Sequence, residues 1–101
     1  MILWFGAFVA TCVVELCAVR VVLRRARVSV VLAAQITTHP LVWLGMAVLP
    51  GSVIVRLSAV ELFAVLVEAA IYARYLGLPG RVALALSAAA NAASLLALSW
   101  M

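Results

Sequence analysis

The stretch Val53–Leu76 reads VIVRLSAVELFAVLVEAAIYARYL, and its 24 residues are enough for one helical crossing of a bilayer. Within it, Glu61 and Glu68 stand seven residues apart, so they share a helix face with Val65 between them, and Tyr72 continues that face one turn further on. Pro50-Gly51-Ser52 precedes the stretch and Gly77-Leu78-Pro79-Gly80 follows it, both strong turn signals. Outward from these turns lie three more apolar runs, at 2–23, 28–49 and 82–100. The first two are separated by the basic connection Arg24-Arg25-Ala26-Arg27.

The composition agrees with four crossings. Of 101 residues, 70% belong to the hydrophobic set and 10% are charged, and the mean hydropathy is +1.37. A soluble domain carries about 45–50% apolar and about 25% charged residues, so this chain has too little polar surface to cover an apolar core. The expected fold class is therefore all-α: a polytopic integral membrane protein, one transmembrane domain over 1–101, built as a four-transmembrane-helix bundle. The Thr37-Thr38-His39-Pro40 break leaves a three-crossing alternative open, against which the length of the second run counts. Nothing is left over for an extramembrane catalytic domain.

The net charge of +4 comes from seven Arg and three Glu, with Lys and Asp absent. A basic balance can mark nucleic-acid binding, but these Arg sit at or near the ends of apolar runs, which fits the positive-inside rule instead. Arg20, Arg24, Arg25, Arg27, Arg74 and Arg81 flank the first and third connections, and only Arg56 lies near the second. The expected location is the inner (cytoplasmic) membrane with both termini outside. Trp4 and Trp100 then fall at the outer boundary, Tyr72 and Tyr75 near the inner one, and Trp43 deeper. Arg20 to Arg27 follow the first apolar run rather than precede it, so that run is expected to stay as an anchor. Cys12 and Cys17 are five apart, about 140° around a helix, which prevents their pairing and makes them read as small buried hydrophobes.

Polar groups in the runs carry the functional question. With a rise of about 1.5 Å per residue from the outer end, Glu61, Asn91 and His39 lie about 12–15 Å deep, and Glu15, Ser87, Gln35 and Glu68 about 18–22 Å deep. Gln35, Thr38 and His39 share one face, Ser87, Asn91 and Ser94 another, and Thr11 sits one turn from Glu15. A shared interior polar track is expected, running from Glu61 to Glu68 and Tyr72. Such groups can act as interhelical glue, worth about 0.6 kcal/mol per bond. Three intramembrane carboxyl groups, each costly to bury charged, point instead to proton or cation handling. Pro40 should displace the Ile36 carbonyl and kink the helix there, with Thr37 or Thr38 able to re-satisfy the freed backbone. No His-Glu-x-x-His, Cys-x-x-Cys, Gly-x-Ser-x-Gly or phosphate-cradling glycine loop is present. No cofactor or catalytic residue is assigned, enzymatic activity is not expected, and whether a metal binds is left open.

Thr38-His39-Pro40-Leu41, Glu61 and Glu68 with Tyr72, and Ser87, Asn91 and Ser94 together resemble a pattern in small bacterial four-helix membrane proteins of unknown activity. That pattern has a Thr-x-Pro in the second helix, paired glutamates in the third and Asn-x-x-Ser in the last, and it covers roughly the last two-thirds of the chain. In architecture the chain is also similar to small multidrug resistance transporters, which have about this length, four helices and a glutamate midway along the first, where this sequence has Glu15. It departs from them in its paired third-helix glutamates and strong charge bias. The expected role is transport or conduction of a proton, cation or small solute by Glu15, Gln35, His39, Glu61, Glu68, Tyr72 and Asn91. The alternative is a non-catalytic accessory or assembly subunit of a membrane complex. Expected partners are the lipid bilayer and either further copies of the chain or a larger complex, with no nucleic acid.

Overall fold

Turn chemistry divides the chain where the sequence places its breaks. The computed structural model describes residues 2–24 and 27–99, without the side chains of residues 2–4, 22, 98 and 99. Arg25, Trp100 and the side chain of Trp4 thus lie outside the described residues. Four helices follow in order: α1 (Ile2–Val22), α2 (Val28–Val48), α3 (Val53–Leu76) and α4 (Gly80–Ser99). No strand occurs among the described residues.

Each boundary has a local cause. Leu49 precedes a proline, which disfavours helical geometry, and it is extended at ψ 142°. Gly51 turns the chain at φ +107°, and the Ser52 hydroxyl accepts the Val55 N–H at 3.3 Å to cap α3. At the far end of α3, Gly77 takes the left-handed conformation (φ 67°, ψ 34°) that ends many helices. The fourth helix begins at Gly80, two residues before the expected 82, because the Pro79 carbonyl already accepts the Ala83 N–H at 2.9 Å.

Helix α2 runs unbroken through Pro40. The two threonines before it do not serve the Ile36 carbonyl as expected. Thr37 Oγ1 donates to the Ala33 carbonyl at 2.8 Å and Thr38 Oγ1 to that of Ala34 at 3.0 Å, the back-bonding favoured when a hydroxyl folds onto its own helix.

The helices pack as a ring, α1 against α2, α2 against α3, α3 against α4 and α4 against α1, and among the described residues the diagonal pairs keep their backbones apart and meet only through interior side chains. The bundle measures 37 × 25 × 20 Å. One end carries the first and third connections with Arg24, Arg27, Arg74 and Arg81 (the basic end), and the other carries the Pro50-Gly51-Ser52 turn (the turn end). Two arginines clamp α2 to α3. At the basic end Arg27 Nη2 donates to the Tyr75 carbonyl at 2.7 Å, and at the turn end Arg56 Nη1 donates to the Met46 carbonyl at 2.8 Å. Both satisfy carbonyls in the last turn of a helix, where no intrahelical donor remains. Gly45 permits the close approach of α2 to α3, since a Cβ there would lie 2.6 Å from Val60 Cγ1.

Polarity is distributed inside out. Buried positions include Thr11, Glu15, Gln35, Thr38, His39, Glu68, Ser87, Asn91 and Ser94, whereas large apolar side chains such as Val21, Ile36, Val48, Ile54, Leu62 and Leu96 stand exposed. Exposed apolar surface on this scale marks an interaction face, with protein or with lipid. Among the described residues, α2 and Gly80–Ala97 of α4 are long and apolar enough to cross a membrane. Helix α3 is set apart by Arg56, Glu61, Glu68 and Arg74, three of which fall in any eighteen-residue stretch of it. Cys12 is buried, but Cys17 is exposed, so only the first fits the expected packing role.

Candidate functional site

The interior divides into an apolar half and a polar half. Toward the basic end, Val19, Val31, Ala69, Tyr72, Ala83 and Leu86 pack into a buried cluster with their neighbours. Toward the turn end lies a cavity of about 310 Å³, lined from all four helices: Thr11 and Glu15, then Gln35 to Met46, then Leu57 to Glu68, then Asn91 to Leu95. Its volume sits at the lower end of the range for ligand pockets, about 300–1,000 Å³.

A hydrogen-bonded layer anchored on Glu68 separates the two halves. Glu68 Oε1 accepts from Gln35 Nε2 at 3.1 Å and from Asn91 Nδ2 at 3.2 Å, and Oε2 lies 2.8 Å from Thr38 Oγ1. Asn91 is held in turn by its own helix, donating to the Ser87 carbonyl at 2.9 Å, while Ser87 Oγ donates across to the Val65 carbonyl at 2.8 Å. Helices α2, α3 and α4 therefore meet on one carboxyl group, which is 1% exposed. The Thr38 hydroxyl has one proton and faces two acceptors, Glu68 Oε2 and the Ala34 carbonyl.

Glu15 brings α1, the remaining helix, to this layer and is also 1% exposed. It lies within interaction range of Glu68, Gln35 and Ser94. Its Oε1 finds no hydrogen-bond partner among the described residues, and neither do Thr11 Oγ1 and Ser94 Oγ, two further oxygens from side chains lining the same cavity. Buried polar atoms are almost always paired, so three oxygens without a partner at hydrogen-bond distance leave the cavity able to take a further group, even though a small shift would let the Ser94 hydroxyl donate to Glu15. A carboxylate oxygen only accepts, and hydroxyls accept as well as donate, so the set suits a proton, a cation or a ligand bearing N–H groups.

The other residues named from sequence take distinct places. Glu61 is half-buried and lines the cavity nearer the turn end, in electrostatic contact with Glu68. His39 is buried on the cavity wall between two aromatic rings, its centroid 5.0 Å from that of Phe8 on α1 and 6.0 Å from that of Trp43 on α2. These tilted rings bridge the α1–α2 seam. Tyr72 stands apart. It is fully buried in the apolar cluster and does not line the cavity, but it lies within interaction range of Glu68, Glu15 and Gln35, so it adjoins the polar layer from the basic-end side.

Sequence reasoning did not single out Trp43 as a cavity wall or the Phe8–His39 stack, because an aromatic residue on an apolar run carries no local mark of its partner. Thr11, Thr38 and Ser94 were visible only as companions on polar faces. Among the described residues, no three His, Cys, Asp or Glu side chains gather as metal ligands. No protein-family model, curated protein or solved structure matches this chain.

Proposed function

We propose that this protein is a four-crossing protein of the inner membrane, with both termini outside, that takes up a proton or small cationic solute through its turn end and binds it at Glu15 and Glu68. The observation that carries this reading is the set of orphaned oxygens, Thr11 Oγ1, Glu15 Oε1 and Ser94 Oγ, on side chains that line a cavity beside the Glu68 layer. An interior built for packing alone would pair or remove these groups, since an unpaired buried polar group costs about 1–3 kcal/mol.

The cluster around Val31, Tyr72 and Leu86, apolar apart from the buried Tyr72 hydroxyl, makes the arrangement one-sided. A carrier needs such a seal, because alternating access requires that only one end be open at a time. Glu61 draws cations toward the cavity, the Phe8–His39–Trp43 stack closes its α1–α2 side, and Glu15 and Glu68 receive the charge. The arginines of the basic end favour the cytoplasmic side for that end by the positive-inside rule.

The test is proton flux in proteoliposomes under an imposed potential, read with a trapped pH dye. Glu15→Gln and Glu68→Gln should abolish flux while the protein remains folded, and flux equal to that of the unaltered chain in both variants rejects the carboxyl groups. A reporter fused after Met101 and active only in the cytoplasm would reverse the orientation.

A second reading draws on α4, whose outer face is also small. Ala85, Ala88, Ala89 and Ala92 are exposed, and small residues at this spacing let helices approach closely in lipid. Self-association or docking to a partner subunit through this face is the role they favour. Purification in mild detergent checks it: a monomer without companions would remove this reading.

A further inference from the structure

A second cavity, of about 500 Å³, lies outside the bundle's interior, in the groove between α2 and α3 at the basic end. Its floor is apolar, formed by Val30, Ala33 and Ile71, and its mouth carries Arg27, Ser29 and Tyr75. From this groove we infer that the protein binds one anionic phospholipid, with its phosphodiester at Arg27 and one acyl chain along Val30, Ala33 and Ile71. The inference is independent of what passes through the interior.

Three observations converge on it. Arg27 is exposed but held in place, because one of its N–H groups donates to the Tyr75 carbonyl and fixes the guanidinium at the groove's mouth. A guanidinium has five N–H donors, so others remain for a phosphate, beside the exposed hydroxyl-bearing side chains of Ser29 and Tyr75. The floor is shaped for a chain: Ala33 is small, and Thr37 turns its hydroxyl back onto the Ala33 carbonyl instead of offering it to the groove. From Arg27 to Thr37 the groove follows α2 for about 15 Å at about 1.5 Å per residue, the reach of a headgroup and the upper part of an acyl chain.

Charge selects the occupant. Arg24, Arg74 and Arg81 are exposed at the same end, and the acids closest to them in sequence, Glu15 and Glu68, are both buried. A zwitterionic lipid would bring a choline into this positive field, whereas an anionic one brings only its phosphate. The turn end differs in that Arg56 is half-buried, whereas Arg27 is exposed among further exposed arginines.

The experiment is native mass spectrometry of the whole protein in mild detergent, titrated with phosphatidylglycerol and with phosphatidylcholine of the same acyl chains. One phosphatidylglycerol should be retained about fivefold more tightly than phosphatidylcholine, the ratio set by one arginine near an anionic lipid. Arg27→Gln should erase that preference. Arg81→Gln, at the same end but outside the groove, should keep it. Ala33→Phe, at an exposed position, should weaken both lipids by filling the floor, with circular dichroism confirming the helices. Equal retention of the two lipids by the unaltered chain overturns the inference. So does an Arg81→Gln loss as large as that of Arg27→Gln, which would indicate diffuse charge, or unchanged retention in Ala33→Phe.

Discussion

Replacing Glu68 tests whether the interior is held by hydrogen-bond geometry or by charge. In Glu68→Gln the amide keeps every bond. Its oxygen still accepts from Gln35 and Asn91, and its nitrogen stands where Oε2 did and donates to Thr38, which turns its own proton to Ala34. Glu68→Leu removes all three contacts at similar volume. At about 0.6 kcal/mol per interhelical bond, and up to about 1.7, their loss costs about 2 kcal/mol and at most about 5. The consequences for the partners differ. Asn91 retains the Ser87 carbonyl at 2.9 Å and Thr38 retains that of Ala34, but Gln35 Nε2 loses its one bond to another side chain. The expected cost of Glu68→Leu is therefore about 2–4 kcal/mol, against less than about 1 kcal/mol for Glu68→Gln. Reversible unfolding by SDS in mixed micelles, followed by circular dichroism, measures both. Equal losses in the two variants would show that charge holds the layer, and a Glu68→Leu protein as stable as the parent would show that these bonds are not made.

Other perturbations follow from the same geometry. Gly45→Ala places a methyl 2.6 Å from Val60 Cγ1, a stiff β-branched side chain, and should cost about 1–3 kcal/mol. Combined with Val60→Ala it should cost less than the two single changes together, and additive losses in the same micelle assay would refute the close approach. Gly77→Ala should cost about 1 kcal/mol through its left-handed backbone alone, as no atom lies within 4 Å of the added methyl. Gly80→Ala, equally open but without positive φ, is the control and should be neutral; equal effects at the two glycines would remove the conformational explanation.

Much of the site was legible because helical phase is a local property. Once a run is helical, Gln35, Thr38 and His39 must share a face, as must Ser87, Asn91 and Ser94, and the structure buries all six. The turns were equally legible, because Pro50-Gly51-Ser52 and Gly77 act through their own backbones. Tyr72 shows the limit of such reasoning. It continues the Glu61–Glu68 face, and one turn beyond Glu68 its ring packs among Val19, Val31 and Leu86 while it stays within interaction range of Glu68 and Gln35, a double role that helical phase alone does not show. Arg56 is another case. In the sequence it counts as a charge at the sparser end, and in the fold it caps α2 through Met46.

The sequence by itself determined that four helices form, where they end, and which residues share a side of each, since these depend on turn residues and on a repeat of about 3.6 residues. Only the tertiary structure decided that Glu68 anchors three helices, that Glu15 adjoins this layer with an unsatisfied oxygen, and that one cavity draws its lining from all four helices. Those outcomes depend on how each helix is rotated and shifted against its neighbours. Rotation and shift are set by contacts between residues far apart in the chain, such as Gly45 with Val60 and Arg27 with Tyr75.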